Sequence, residues 1–344
     1  MLYGMLKKMF ALSGLVLAVT GCAMKTTIHA LEPAEVDRAA SFKRIAIVEF
    51  DHDNGRYGLN LAAKLEALLT SYRLDGKNYF VVVGHSDLDR ILDEQKRQHS
   101  GLFSQDNIAQ IGKLTGAQAL ISGVISSASS DDSLYRDVRT RSQCDSNGKN
   151  CMGSQYSVNC RMRVVSLGVQ VKMMDVERGD LITAQSFNES RKWSACHDRQ
   201  EILPSREQGL ELLSNRIAQQ FVRKITPRYV SFDVTLLKDP DVDLTENQEE
   251  RFEASLEFIE ADRMDRADLL LTQLHQEIQH QSYVIAYNLG VTRESEGDYD
   301  GARELYHIAD QLALEPVDEI NAAVQRIERL VADNKRALNQ LNRD

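Results

Sequence analysis

From Lys43 to Ile225 the apolar positions recur with two periods, and each change of period marks an element. The runs "KRIAIVEF" (Lys43–Phe50), "YFVVVG" (Tyr79–Gly84) and "AQALISGVIS" (Ala117–Ser126) have strand length and many β-branched residues. Leu61, Ala62, Leu65, Leu68, Leu69 and Tyr72 fall at helical spacing and give one apolar face. Ser86, with Asp89 three residues on, opens a capping-box pattern that Leu88, Ile91 and Leu92 continue as a helix. Ser104 caps another through Ile108, Ile111 and Leu114, ended by Gly116. Val165, Leu167, Val169, Val171 and Met173 alternate with polar or small residues, the mark of a half-buried strand. "DVERGD" turns it back into "LITAQSFNESRKW". "REQGLELLSNRIAQQFVRKI" is a long amphipathic helix, stopped by Pro227. These elements predict an α+β domain over residues 42–230, with helices packed on one mixed sheet. The polar stretch Ser127–Cys160 has no such period and reads as loops. Residues 22–41 read as a tether and 231–247, with "KDPDVD", as a linker.

From residue 248 to the end the pattern is all-helical. Tyr283–Pro316 has the length of one tetratricopeptide (TPR) repeat and resembles it in its small and large positions. Leu289 and Gly290 match the "LG" pair, and Ala302, Tyr306 and Ala309 match the second helix, while Arg293 and Ala286 replace the usual Tyr and Trp. Gln248–Gln281 offers Ala267, Leu271 and Leu274 in the same frame as a degenerate repeat. The alternative is a plain helical hairpin. Such repeats bury their apolar faces on one another and leave a groove that binds proteins, so these five residues are the expected framework of a partner-binding face.

Near the N-terminus, Lys7 and Lys8 precede "MFALSGLVLAVT", an apolar run too short to span a bilayer as a helix, which takes about 20 residues. It fits the core of a secretory signal, residues 1–21. The following "VTGC" resembles the lipobox of bacterial lipoproteins, with Val19 where Leu is commonest. That resemblance implies cleavage before Cys22 and a lipid on its thiol; several acyl chains anchor firmly where one does not. The alternative is an ordinary signal with a coincidental cysteine. Ala23 in place of Asp favours the outer membrane, with the folded part facing the periplasm. The formal net charge of −10 disfavours nucleic acid as a partner, and loss of two lysines with the signal makes the chain more acidic still.

In an exported chain the remaining Cys144, Cys151, Cys160 and Cys196 suggest two disulfides, for which three pairings are open. Cys144 with Cys151 would close a small loop, and Cys160 with Cys196 would tie the ends of a hairpin. A zinc site lacks the closely spaced cysteine knuckle it needs.

"RIAIVEF", "YFVVVGHSDLDRILDEQ", "IAQIGKLTGAQALISGVIS" and "VSLGVQVKMMDVERGDLITAQ", in this order with a helix between the first two, resemble the CsgG family of curli secretion lipoproteins. Gly112, Gly116, Ala117, Gly123 and Gly179 fall at its small-residue positions. Related α+β domains occur in outer-membrane lipoproteins that activate penicillin-binding proteins and in the N-terminal part of TolB-like proteins. The resemblance implies the fold, an oligomeric ring and, in the secretion channel itself, two membrane hairpins per subunit. One hairpin would fall in Ser127–Cys160 and the other after Trp193. A membrane strand needs about 9–11 residues with one apolar face, and neither segment has one. The expectation is a CsgG-like domain in which disulfide-tied loops replace the membrane hairpins.

No Walker loop, G-x-G-x-x-G, H-E-x-x-H or G-x-S-x-G occurs. "DHD" at Asp51–Asp53 sits in a turn where polar residues are ordinary, and His275 and His280, five apart, read as surface residues. Trp193 reads as a packed hairpin residue. The reading is a non-enzymatic binding protein without cofactor or metal: an accessory or assembly factor of an envelope machine, able to form a ring. The alternatives are an activator of a cell-wall synthase or a true secretion channel. Cys22→Ala is expected to release the protein from the membrane fraction; a variant that sediments with membranes after carbonate washing contradicts the anchor.

Overall fold

The computed structural model describes residues 24–48, 50, 56–83, 115–149 and 151–342, which form two compact units. The cysteine of the lipobox, "DHD" and the two helices expected within residues 84–114 lie outside the described residues.

The first unit comprises residues 31–230 and 332–344. Its sheet contains β2 (Arg44–Ile47), β5 (Val81–Val83), β6 (Ala119–Gln143), β7 (Met152–Asp175) and β8 (Leu181–Cys196), in the order β5-β2-β6-β7-β8. β2 runs parallel to β5 and β6, whereas the pairs β6–β7 and β7–β8 are antiparallel. The mixed sheet follows from the connections. Hairpins force antiparallel pairs, and a parallel pair needs a longer crossover, such as the one through α2 (Arg56–Ser71). Val165, Leu167, Val169, Val171 and Met173 point to one face, where Leu61, Leu65 and Leu69 of α2 meet Leu210, Leu213, Ile217 and Phe221 of α3 (Arg206–Ile225) in one core. A β-carbon at Gly209 would lie 2.8 Å from a methyl of Val165, so glycine lets α3 approach the sheet closely. The helix begins with a complete capping box between Ser205 and Gln208. Short β3 (Arg73–Leu74) and β4 (Lys77–Asn78) form a hairpin, and α1 is Asp37–Ala40.

Two expectations change. The region expected to be a tether carries β1 (Lys25–Glu32), whose Thr26, Ile28 and Ala30 are buried on alternate positions, followed by α1. β1 pairs with β9 (Arg228–Thr235), so the expected linker also begins as a strand. The missed signal is the period-two pattern of "KTTIHALE", which threonine and histidine disguise as polar.

The second unit comprises residues up to 30 and 231–331. It holds α4 (Glu246–Glu260), α5 (Met264–Glu277), α6 (Tyr283–Glu296), α7 (Tyr299–Leu312) and the start of α8 (Asp318–Leu341). At their centre Glu294 is fully buried. Its carboxylate accepts from Arg326 Nε at 2.7 Å and Nη2 at 2.8 Å, and from the Tyr306 hydroxyl at 2.5 Å. Burial, then the Glu294 charge, holds the Tyr306 hydroxyl well above the usual phenol range. His275 is also buried, which overturns its surface reading; Leu271 and Leu274 on the same helix lie in the unit's core. Burial, then the nearby His280, lowers its imidazole to about 4, and the two rings are 4.3 Å apart.

Removing one partner of a buried ion pair strands the other charge, so Glu294→Ala is expected to cost about 3–5 kcal/mol in denaturant unfolding; a loss below about 1 kcal/mol contradicts the network. Because the folded state keeps His275 neutral while the unfolded chain protonates it, its share of stability is full above about pH 6.5 and is lost as the pH falls toward 4. His275→Leu is therefore expected to flatten the fall of the melting temperature across that window, and identical slopes contradict the assignment.

Candidate functional site

β6 and β7 continue far beyond the core. Their register runs unbroken from Ser127↔Gly168 to Gln143↔Met152, after one irregularity between Ile125 and Ser127. The polar stretch is thus a long hairpin, which corrects the expectation of loops. Polarity on both faces gives no period to detect, yet the ladder satisfies the backbone and side chains pair across it. Asp132, opposite Arg163, binds its guanidinium at 2.6 and 2.7 Å, and this hydrogen bonding holds the carboxyl below the usual range. Arg139 reaches Asp137 at 3.0 Å and Asp198 at 2.6 Å, and Ser166 donates to Ser190 on β8. Leu134, Val138 and Met152 are exposed among polar neighbours and make no continuous apolar band. No helix among the described residues is long and apolar enough to cross a membrane.

Two disulfides hold this hairpin. Cys144–Cys151 ties the tip, with Cα atoms 3.9 Å apart. Within that loop the Asp145 carboxylate accepts from the amides of Asn147 and Lys149. Cys160–Cys196 joins β7 to β8 at a register pair, with Cα atoms 4.0 Å apart. Of the three open pairings, the structure has the one whose two bridges close the small loop and tie the hairpin ends. Asp137 approaches Cys160 and Cys196, but both sulfurs are spent in the disulfide, so the group offers a single carboxylate. Trp193 is half-buried against the core, with the Arg191 guanidinium 5.2 Å from its ring.

Leu289, Gly290, Ala302, Tyr306 and Ala309 all come together between α6 and α7. A β-carbon on Gly290 would sit 2.6 Å from the Tyr306 ring, which is why the large residue faces glycine. The framework is therefore internal and none of the five is presented to a partner. The outward side of α6 is also taken, by the chain's own residues 235–241. Tyr287 donates from its hydroxyl to Thr235 O at 2.7 Å. The Asn288 amide donates to Leu237 O at 2.7 Å and accepts from Leu237 N at 3.1 Å. Asp241 accepts from the Ser282 hydroxyl and from the amides of Tyr283 and Val284 at the start of the helix. This side of α6 is thus covered by the chain itself, which the sequence did not signal: "TLLKDPD" looks like a linker.

The model of the family described as "Curli production assembly/transport component CsgG" matches residues 30–186. Among solved structures, the PelC dodecamer from Paraburkholderia phytofirmans is similar at 11% identity and a TM-score of 0.30, over 60% of this chain and 99% of that one. Lipoprotein GNA1162 from Neisseria meningitidis follows at 12% identity and a TM-score of 0.25, over 52% of this chain and 98% of that one. The hypothetical protein CT253 from Chlamydia trachomatis shows 8% identity and a TM-score of 0.26, over 54% and 95%. No curated protein matches the chain. Structural likeness of this size says nothing of what the chain binds. The family match and the mixed sheet with its helices, followed by a run of helices, make this a CsgG-like α+β fold with an all-α C-terminal part.

Proposed function

We propose that this protein is a lipid-anchored component of the outer membrane, facing the periplasm, that serves as an assembly or accessory factor of an envelope machine: a secretion, surface-fibre or flagellar outer-ring system. It acts by binding proteins and not by catalysis. The observation that carries this reading is the family match over residues 30–186, lying behind a lipobox. The long polar hairpin supports a role in water in place of membrane insertion, since both faces of β6 carry charge, Arg136 on one and Arg139 and Arg141 on the other, and an arginine on whichever face met lipid would cost about 2–4 kcal/mol near the bilayer midplane.

Copies of the chain associate in a ring in this reading. Among the described residues β6 beyond Ile125 pairs only with β7, and β8 is the last strand of the sheet. Two open edges of opposite sides invite head-to-tail closure. The TPR-like helix pair is a scaffold within this account, because its outward side is filled. The secretion-channel reading has one observation in its favour, a hairpin at the position where the channel family places one. Light scattering with particle imaging of the detergent-extracted protein is expected to show a closed ring of many copies without conductance in planar bilayers. A monomer or dimer contradicts the ring and favours a synthase activator, and steady conductance restores the channel.

A further inference from the structure

Beside the Cys160–Cys196 disulfide, the segment 197–204 and the sheet enclose an open cleft of about 580 Å³. The segment is held at both ends: His197 N donates to Asn159 O at 3.1 Å, and Arg163 donates to Pro204 O at 2.8 Å. Leu134, Arg161 and Ala195 occupy one register row across β6, β7 and β8, so their side chains share the cleft's floor. Arg199, Ile202 and Leu203 form the facing wall. The two arginines are available. Arg161 is exposed and makes no ion pair among the described residues, in contrast to Arg163, whose guanidinium is spent on Asp132. Arg199 meets Glu201 only at 3.6 Å, with both side chains about half exposed. Between them lie two aliphatic side chains left in water, Leu134 at 79% and Ile202 at 93% exposure.

The unpaired Arg161 guanidinium, with Arg199 held by Glu201 only through a long and exposed contact, favours an anionic occupant. The exposed leucine and isoleucine select one with an apolar side chain. The open backbone edge of β6, which carries Leu134, adds a row of donors and acceptors suited to an extended chain. We propose that this cleft takes an extended acidic segment of a partner protein, its carboxylates pairing with Arg161 and Arg199 and an adjacent aliphatic side chain lying between Leu134 and Ile202. The disulfide builds the site by fixing the segment that forms its wall. This deepens the protein-binding reading above, on which it rests, and is independent of the lipid anchor.

The test is fluorescence anisotropy on the full purified chain, with a labelled Gly/Ser peptide carrying a central Asp-Leu-Asp and its Asn-Leu-Asn counterpart. Saturable binding of the acidic peptide is expected, about tenfold weaker for the neutral one and for Arg161→Ala or Arg199→Ala. Arg161→Lys keeps part of the affinity, Leu134→Ala weakens it, and Arg216→Ala, on the exposed side of α3, leaves it unchanged. Absence of saturable binding, equal binding of both peptides, indifference to Arg161→Ala, or capture of anionic vesicles in place of the peptide each overturns the proposal. Membrane fractionation of Cys22→Ala is read separately, and the mass of the particle reports on the ring, so failure of the cleft is distinguishable from failure of either.

Discussion

The structure of the first unit depends on one strand hydrogen-bonded along both sides. β7 pairs with β6 from Met152 to Asp175 and with β8 from Cys160 to Met174. Over Val165–Met173 its inward side chains supply the core under α3. Over Met152–Val164 the same ladder continues, with no helix packed on it among the described residues. A sheet can leave its core in this way when backbone groups remain paired and most side chains tolerate water, the exception here being the small buried cluster of Val158, Cys160 and Cys196. The cross-strand pair of Asp132 with Arg163 and the two disulfides meet the second condition and fix the register that an apolar face would otherwise set.

That division explains what the sequence could reveal. Elements with one buried face were legible almost to the residue: α3, the inner half of β7, and α7, each of which shows a single clear period, whereas α6, buried on nearly every side, was placed by its likeness to a repeat. The outer hairpin was not, because its stability comes from pairing partners distant in sequence and from cysteines whose connectivity spacing leaves open. β1 was read as a tether because Thr26 and His29 hide a half-buried strand. The five repeat positions were placed correctly in the helix pair, but their use was misread. Nothing in residues 235–241 announces that Asn288 and the start of α6 bind that segment's backbone and carboxylate. His275, five residues from His280, gave no sign of burial, since its neighbours on the helix face are revealed only by packing.

The two units differ in what they leave unpaired. In the helical unit the Glu294–Arg326–Tyr306 network is internal and one side of α6 is filled by the chain's own residues 235–241. In the first unit the hairpin and its connector leave open edges, the unpaired Arg161 and the exposed aliphatic side chains of Leu134 and Ile202. These features fit the proposed assembly role, which asks for pairing edges and a charged cleft on a stable domain.

The central claim is that the hairpin is a finished, water-soluble ladder and not a membrane strand pair waiting for lipid. Amide hydrogen exchange on the oxidised protein in detergent-free buffer tests this most directly. The account predicts protection of residues 127–143 and 152–163 comparable with the inner part of β7. Exchange at the rate of an unstructured chain, with protection appearing only on adding lipid, would contradict it.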